Sequence, residues 1–124
     1  MCLQVKNPVL EVAISDITVY KFVEHSNNLN GLLTTPFQYM QVEIGKSYET
    51  ELNISLGNSD FSFVDEGFHS FKYMKDAILF SKSGDGYFAA MCIIPKGATY
   101  YEGVSGIYDN EGYASDKIKY ISIL

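Results

Sequence analysis

The sequence predicts a small α+β domain, with a mixed or antiparallel sheet of five to seven strands packed against one main helix. Ten Tyr and eight Phe, with no Trp, form an aromatic set that favours strands. The near-continuous apolar run at residues 87–94 is typical of a buried strand. Residues 71–81 carry apolar side chains at helical spacing, which predicts the helix.

Length and composition indicate one domain over residues 1–124. A chain of 124 residues, 47% of them apolar, can bury a core without disulfides or metals. The sequence shows no internal repeat, no low-complexity tract and no linker. We therefore expect no domain boundary.

The charge balance argues against nucleic-acid and membrane partners. The net charge is −6, and all nine basic residues are Lys. Arg is the preferred side chain for gripping phosphates and guanine edges, and no basic stripe is present to replace counterions along a duplex. Anionic membrane surfaces are disfavoured for the same reason.

Cysteine content and hydropathy predict a cytoplasmic protein. The two Cys residues do not make a disulfide framework, which fits a reducing compartment. We read no secretory signal, and no apolar stretch approaches the roughly 20 residues of a membrane helix.

The strands before the helix are predicted from alternation. Residues 17–23 and 37–44 alternate apolar and polar or aromatic side chains, and residues 47–54 are the next candidate. Residues 9–14 fit either a strand or one helical turn. Residues 27–31 and 56–60 are rich in turn formers and predict loops.

The helix is predicted from Phe71 to Ser81, with Ser70 as its N-cap and a glycine-rich segment at 84–86 as its end. A central strand follows at residues 87–94, with cover expected on both faces. A Pro-Lys-Gly corner turns the chain. The last predictions are a strand at residues 99–102, a loop at residues 103–112 and a closing strand at residues 116–124.

No pattern in the sequence predicts a catalytic residue, a metal site or a cofactor. His25 and His69 lack the partners and spacing that metal ligation needs. Cys92 lies inside an apolar run, where burial raises a thiol pKa and lowers its reactivity. The adjacent Asp65 and Glu66 are interpreted as a solvated turn.

Two features remain as candidate ligand contacts. His69 precedes the predicted cap Ser70, and a helix N-terminus there could hold an anion; the alternative is a histidine that fills a corner. Tyr100 and Tyr101 should point to opposite faces of one strand, so one of them could stack on a nucleobase or cover the core.

Several motifs give the chain two family resemblances. The first rests on Val19-Tyr20-Lys21, Gly45-Lys46, Gly67-Phe68-His69-Ser70-Phe71, Ala77, Ile94-Pro95-Lys96-Gly97, Tyr100-Tyr101 and Tyr113-Ala114-Ser115. Over nearly the whole chain, this layout is similar to small proteins of gut Bacteroidales and their phages. The resemblance implies a phage or mobile-element origin and carries no activity with it.

The second resemblance covers residues 67–94. Gly67-Phe68-His69-Ser70, a helix with Ala77 and the strand after it resemble the middle of ADP-ribosyltransferase-like domains, where such segments flank an NAD pocket. The chain has no Arg to open an R-S-E type site, so Tyr20, Lys21 or His25 would stand in its place. Glu102 would be the catalytic glutamate.

Three functional hypotheses follow from these features. The first is a non-catalytic phage protein that sequesters a small nucleotide-type ligand in the host cytoplasm, with a pocket between subunits of a homo-oligomer. Its ligand-binding candidates are Tyr20, Lys21, His69, Ser70, Lys96, Tyr100 and Tyr101. The alternatives are a host-takeover or virion protein that acts through a protein surface, and a degenerate ADP-ribosyltransferase-like enzyme that uses NAD.

Overall fold

The protein is mostly β. The computed structural model describes residues 3–6, 8–25, 33–35, 41–56, 61–82, 86–105 and 110–124. Within these ranges the chain forms thirteen strands and one helix, and the strands join in one antiparallel sheet. The predicted α+β domain with five to seven strands is therefore wrong.

The elements follow one another closely along the chain. The strands are β1 (Leu3–Lys6), β2 (Glu11–Val12), β3 (Ile17–His25), β4 (Leu33–Thr34), β5 (Gln41–Val42), β6 (Ser47–Glu49), β7 (Asn53–Leu56), β8 (Phe61–Glu66), β9 (Phe68–Phe71), β10 (Tyr87–Ile94), β11 (Thr99–Ser105), β12 (Asn110–Ser115) and β13 (Lys117–Ile123). The helix α1 spans Met74–Ser81.

The sheet curls because its two ends are consecutive in sequence. Ten strands form the path β6-β13-β10-β3-β9-β12-β11-β1-β8-β7, with β2 beside β11 and with β4 and β5 beside β3. Only residues 50–52 join the end strands β6 and β7, and such a link spans at most about 14 Å. The backbone N–H of Thr50 donates to the carbonyl of Asp116 (2.9 Å), which anchors this link to β13.

Two strands of the prediction are confirmed, and they form the centre of the sheet. The predicted strand 87–94 is β10, and the predicted strand 17–23 lies within β3, its antiparallel neighbour along eight residue pairs. Ala90, Cys92 and Ile94 are completely buried on one face of β10. Cover on the other face is partial, because Ile93 is only half-buried there.

The helix begins later than predicted. Residues 68–71 form β9, which pairs with β12, so Ser70 lies in a strand and is not a helix cap. The residue before the helix is Tyr73, which makes no side-chain capping hydrogen bond. Phe71 belongs to the strand because it pairs with Gly112 and Tyr20, and its ring stacks on Phe80 of the helix (centroids 5.2 Å apart).

The predicted loop at residues 103–112 is wrong at residues 103–105 and 110–112, which are strand, and a facing glycine pair explains the error. Gly103 in β11 lies directly opposite Gly112 in β12. A Cβ at Gly103 would lie 2.2 Å from the carbonyl oxygen of Gln4, and one at Gly112 would lie 2.4 Å from that of Ser70. Glycine is therefore needed for close approach of backbones within strands.

Other predicted boundaries also change. The predicted strand 47–54 is wrong, because its two halves, β6 and β7, lie at opposite ends of the sheet path. The predicted strand 37–44 is strand only at β5 among its described residues, and residues 9–14 contain the short strand β2. The closing strand is confirmed as β13. Strand β8 was not predicted, and it contains Asp65 and Glu66, so their interpretation as a turn is wrong. Residues 27–31, 57–60, 84–85 and 106–109 of the predicted loops lie outside the described residues.

The apolar side chains form three clusters. The largest lies on the face of β10 that carries Cys92, which we call the inner face; the opposite face is the outer face. A second cluster surrounds Leu3 and Val64, and a third lies under α1 around Phe22 and Phe71. The inner cluster contains Ala13, Val19, Val23, Leu33, Val42, Phe68, Ala90, Cys92, Ile94, Ala98, Tyr113, Ile118 and Tyr120.

Candidate functional site

The predicted ligand residues do not form one pocket within a single copy. Strand pairing between Tyr20 and Phe71 places Lys21 opposite Ser70 on the inner face, and it places Tyr20 and His69 on the outer face. The three remaining candidates, Lys96, Tyr100 and Tyr101, also lie apart from one another. Lys96 is exposed in the β10–β11 turn, while Tyr100 packs on the inner cluster and Tyr101 on the second cluster.

The expected NAD cleft is not assembled either. Tyr113 pairs with Ser70 on one side and with Glu102 on the other, so Glu102 lies on the inner face. His69 and Tyr20 lie on the outer face, across the sheet from this carboxylate. His25 is in β3. The arrangement gives no support to a transferase site built from these residues.

A row of four polar side chains crosses the inner face. Lys21 in β3, Ser70 in β9, Tyr113 in β12 and Glu102 in β11 occupy successive facing positions. Lys21 and Ser70 are buried, with 7% of each exposed, whereas Glu102 is exposed. The row therefore runs from the interior of the curled sheet to solvent.

Lys21 is the most unusual member of this row. Its ammonium donates a hydrogen bond to the backbone carbonyl of His69, on the strand beside its own. Burial lowers the pKa of Lys21 to about 8. The interior thus holds a lysine whose charged form is costly.

The neighbours of Lys21 are also perturbed. Burial, followed by the charge of Lys21, lowers the pKa of His69 to about 4, so this imidazole is neutral at physiological pH. Burial raises the pKa of Cys92 to about 12, which keeps the thiol protonated and unreactive, as predicted from its apolar setting. The buried hydroxyl of Ser70 has no hydrogen-bond partner among the described residues.

At the exposed end of the row, tyrosines and carboxylates from four elements converge. We call this group the tyrosine–carboxylate surface. It comprises Glu11 of β2, Tyr73 at the start of α1, Tyr100 and Glu102 of β11, and Glu111 and Tyr113 of β12, with Lys72 beside them.

Direct contacts link the members of this surface. The rings of Tyr100 and Tyr113 meet edge to face, with centroids 5.7 Å apart. Hydrogen bonds join Tyr100 to Glu11 and Tyr73 to Glu111. These contacts fix the aromatic rings beside the acidic groups.

The surface stays negatively charged with neutral tyrosines. Burial and then Glu102 raise the pKa of Tyr113 to about 12. The pKa of Tyr100 is raised by burial and by Glu11, and that of Tyr73 by its hydrogen bond to Glu111. The phenol groups are therefore protonated, while three carboxylates supply the charge.

Lys72 neutralises only part of this charge. Its Nζ lies 3.9 Å from Oε2 of Glu102, and both side chains remain more than one-third exposed. Such an exposed ion pair is weak, about 0–1 kcal/mol. The carboxylate of Glu102 therefore remains accessible to another cation.

The sequence prediction missed most of this surface. Of its members only Tyr100 was a predicted ligand contact, and Glu102 was assigned to an NAD site. The missed signal is the i, i+2 spacing of Glu111 and Tyr113, which puts both on one face of a strand. Because residues 103–112 were interpreted as a loop, this two-residue spacing was not taken as a strand pattern.

Comparisons with protein-family models, curated proteins and solved structures found no match. Across the described ranges, no cluster of three or more His, Cys, Asp or Glu could hold a metal ion. In the same ranges, no helix is long and apolar enough to cross a membrane.

Proposed function

We propose that this chain is a non-catalytic binding protein whose tyrosine–carboxylate surface binds Lys or Arg side chains of a protein partner. The main support is the convergence of three tyrosines and three carboxylates on one face, from elements distant in sequence. The proposal is a specific form of the protein-surface hypothesis from the sequence analysis, in which the partner presents a cationic segment.

Aromatic rings and carboxylates are complementary to cations in two ways. A carboxylate attracts the charge, and the face of an aromatic ring attracts a cation within about 6 Å of its centroid. Tyr73 already shows this second contact, because the ammonium groups of Lys72 and Lys75 lie 5.8 and 5.4 Å from its ring centroid. The net charge of −6 would also speed the approach of a basic partner.

The nucleotide-sequestration hypothesis remains a prediction with weaker support. Its residues lie on both faces of the sheet, and Lys96 is at a distant turn. Only Tyr100 belongs to the tyrosine–carboxylate surface, where Glu11 and Glu102 would repel phosphate groups. A pocket that combined these residues would need a second subunit.

The test uses a fluorescently labelled peptide of alternating Lys and Arg, titrated with the protein and followed by anisotropy at low and physiological salt. We expect saturable binding that weakens as salt is added, because exposed charges are screened. Glu102→Gln combined with Glu111→Gln should weaken binding at least about tenfold. Glu49→Gln, an exposed carboxylate in β6, is the control for general charge.

Two outcomes would contradict the proposal. Equal loss of binding in the Glu49 control would mean that only net charge matters. A melting temperature raised by cyclic nucleotides or ADP-ribose derivatives, without peptide binding, would favour nucleotide sequestration instead. Tyr100→Leu should weaken peptide binding without changing net charge, which separates ring contacts from carboxylate attraction.

A further inference from the structure

Strand β2 leaves an apolar sheet edge exposed. Val9, Leu10, Val12 and Ile14 have 67%, 52%, 57% and 89% of their surface exposed. Leu10, Val12 and Ile14 form an alternating row in the sequence, in which Glu11 and Val12 are strand and Ile14 lies in the bend that follows it. Natural edge strands are normally protected from pairing by shortness, charge or twist, and an unpaired apolar edge is a template for pairing with another chain; β2 is short but carries exposed apolar side chains on and beside it.

The free backbone groups of this edge can be assigned from its known hydrogen bonds. The N–H of Ala13 donates to the carbonyl of Ala98 (2.8 Å), and the carbonyl of Ala13 accepts from the N–H of Gly97 (2.8 Å). Backbone groups of successive residues alternate between the two edges of a strand. The N–H and carbonyl of Val12 therefore point away from β11, to an edge that no described strand occupies.

We propose that this edge pairs with the same edge of a second copy of the chain, antiparallel and centred on Val12. In that register Val12 faces its own copy and exchanges two hydrogen bonds with it. Leu10 and Ile14 flank this pair in both copies, so exposed apolar side chains from the two chains gather around the twofold axis.

The pattern favours a second copy over an unrelated strand because it is symmetric about Val12. Glu11, the one charged residue of β2, would face the small Ala13 of the other copy and not another carboxylate. This avoids a like-charge pair, which would oppose association. Strand β2 is only two residues long, so we expect a weak dimer, in contrast to stable complexes that bury roughly 1,200 Å² or more.

The dimer can be tested independently of the proposed function. Light scattering after size exclusion, at loading concentrations up to the order of 100 µM, should show the mass rising from 13.9 kDa towards twice that value. Val12→Pro should abolish the rise, because it removes an outward N–H that β11 does not use. Val9→Lys, which changes an exposed residue outside the alternating row, is the matched control and should still dimerise.

Oxidative cross-linking gives a second, geometric test. With Cys2 replaced by Ser, Val12→Cys should form a disulfide-linked dimer, because facing residues in an antiparallel pair have Cα atoms about 5.5 Å apart. Val9→Cys should not cross-link. A monomer at every concentration, a Val12→Pro variant that still dimerises, or equal cross-linking at both positions would overturn the proposal. Circular dichroism of each variant must match the unaltered chain.

Discussion

Replacing the buried Lys21 by Met tests whether the interior holds a costly charge. Met has similar length and no charge, so Lys21→Met removes the ammonium with little change in packing. In the unaltered protein the pKa of Lys21 falls from 10.5 to about 8. That difference corresponds to about 3 kcal/mol of unfavourable free energy while the group is charged.

The pH range over which this cost disappears follows from the pKa of Lys21 in the folded and in the unfolded chain. Between pH 8 and pH 10.5, Lys21 is mostly protonated in the unfolded chain and mostly neutral in the folded chain. The free energy of unfolding contributed by Lys21 therefore rises with pH through this window. From pH 7 to pH 10, the stability advantage of Lys21→Met over the unaltered chain should shrink by about 2 kcal/mol.

The assay is urea unfolding at 25 °C for both proteins at several pH values. The buried thiol of Cys92 also titrates differently in the two states at high pH. Burial raises its pKa to about 12 in the folded chain, against a smaller lowering by Lys21, so the folded thiol stays protonated up to pH 10 with or without Lys21 and its effect cancels. The advantage at pH 7 is reduced by the hydrogen bond that the His69 carbonyl loses, about 1–3 kcal/mol. The change in the advantage with pH is therefore the decisive quantity.

Lys119→Met is the control, because Lys119 is exposed on β13 and its ammonium stays in water. Its stability difference from the unaltered chain should vary little between pH 7 and pH 10. If the Lys21→Met difference were equally flat, Lys21 would be solvated when charged, and the buried polar row would not exist as described.

Two further predictions concern the packing of the sheet. Ile94→Ala should lower the free energy of unfolding by about 2–5 kcal/mol, and Ile93→Ala by clearly less, because Ile94 is completely buried and Ile93 is half-buried. Equal losses in chemical denaturation would contradict this assignment of faces. Gly103→Ala should cost about 2 kcal/mol or more, because its Cβ would meet the carbonyl oxygen of Gln4 at 2.2 Å. Gly86→Ala is the comparison, because a Cβ there meets no atom within 4 Å and only the positive φ (+82°) opposes the change. If Gly103→Ala cost no more than Gly86→Ala, β11 and β1 would not approach each other so closely.

Local pattern was sufficient for the strands with the strongest signal. The apolar run of β10 and the alternation in β3 and β13 specify strands because few other structures satisfy such periodicity. Ser70 shows where local pattern failed. A Ser before an apolar helical stripe fits an N-cap, yet pairing of β9 with β12 satisfies its backbone and delays the helix to Met74.

The site depended on tertiary structure to a greater degree. Tyr100 and Glu102 were both named from the local sequence, but Tyr100 as a ligand contact and Glu102 as the glutamate of an NAD site. Their grouping with Tyr73 and Glu111 depends on which strands are neighbours, and β9, β12 and β11 adopt that order only through non-local pairing. The division of Tyr100 and Tyr101 between opposite faces is confirmed, since alternation within one strand decides it.

The sequence alone determined the strand character of the chain, its central strand and its inert buried cysteine, because these follow from side-chain type and short-range periodicity. Only the tertiary structure decided the number of strands and the order in which they pair. Gly103 and Gly112 resemble loop glycines until another backbone is found where a Cβ would lie. Lys21 likewise resembles a surface lysine until the curl of the sheet buries it beside a carbonyl group of β9.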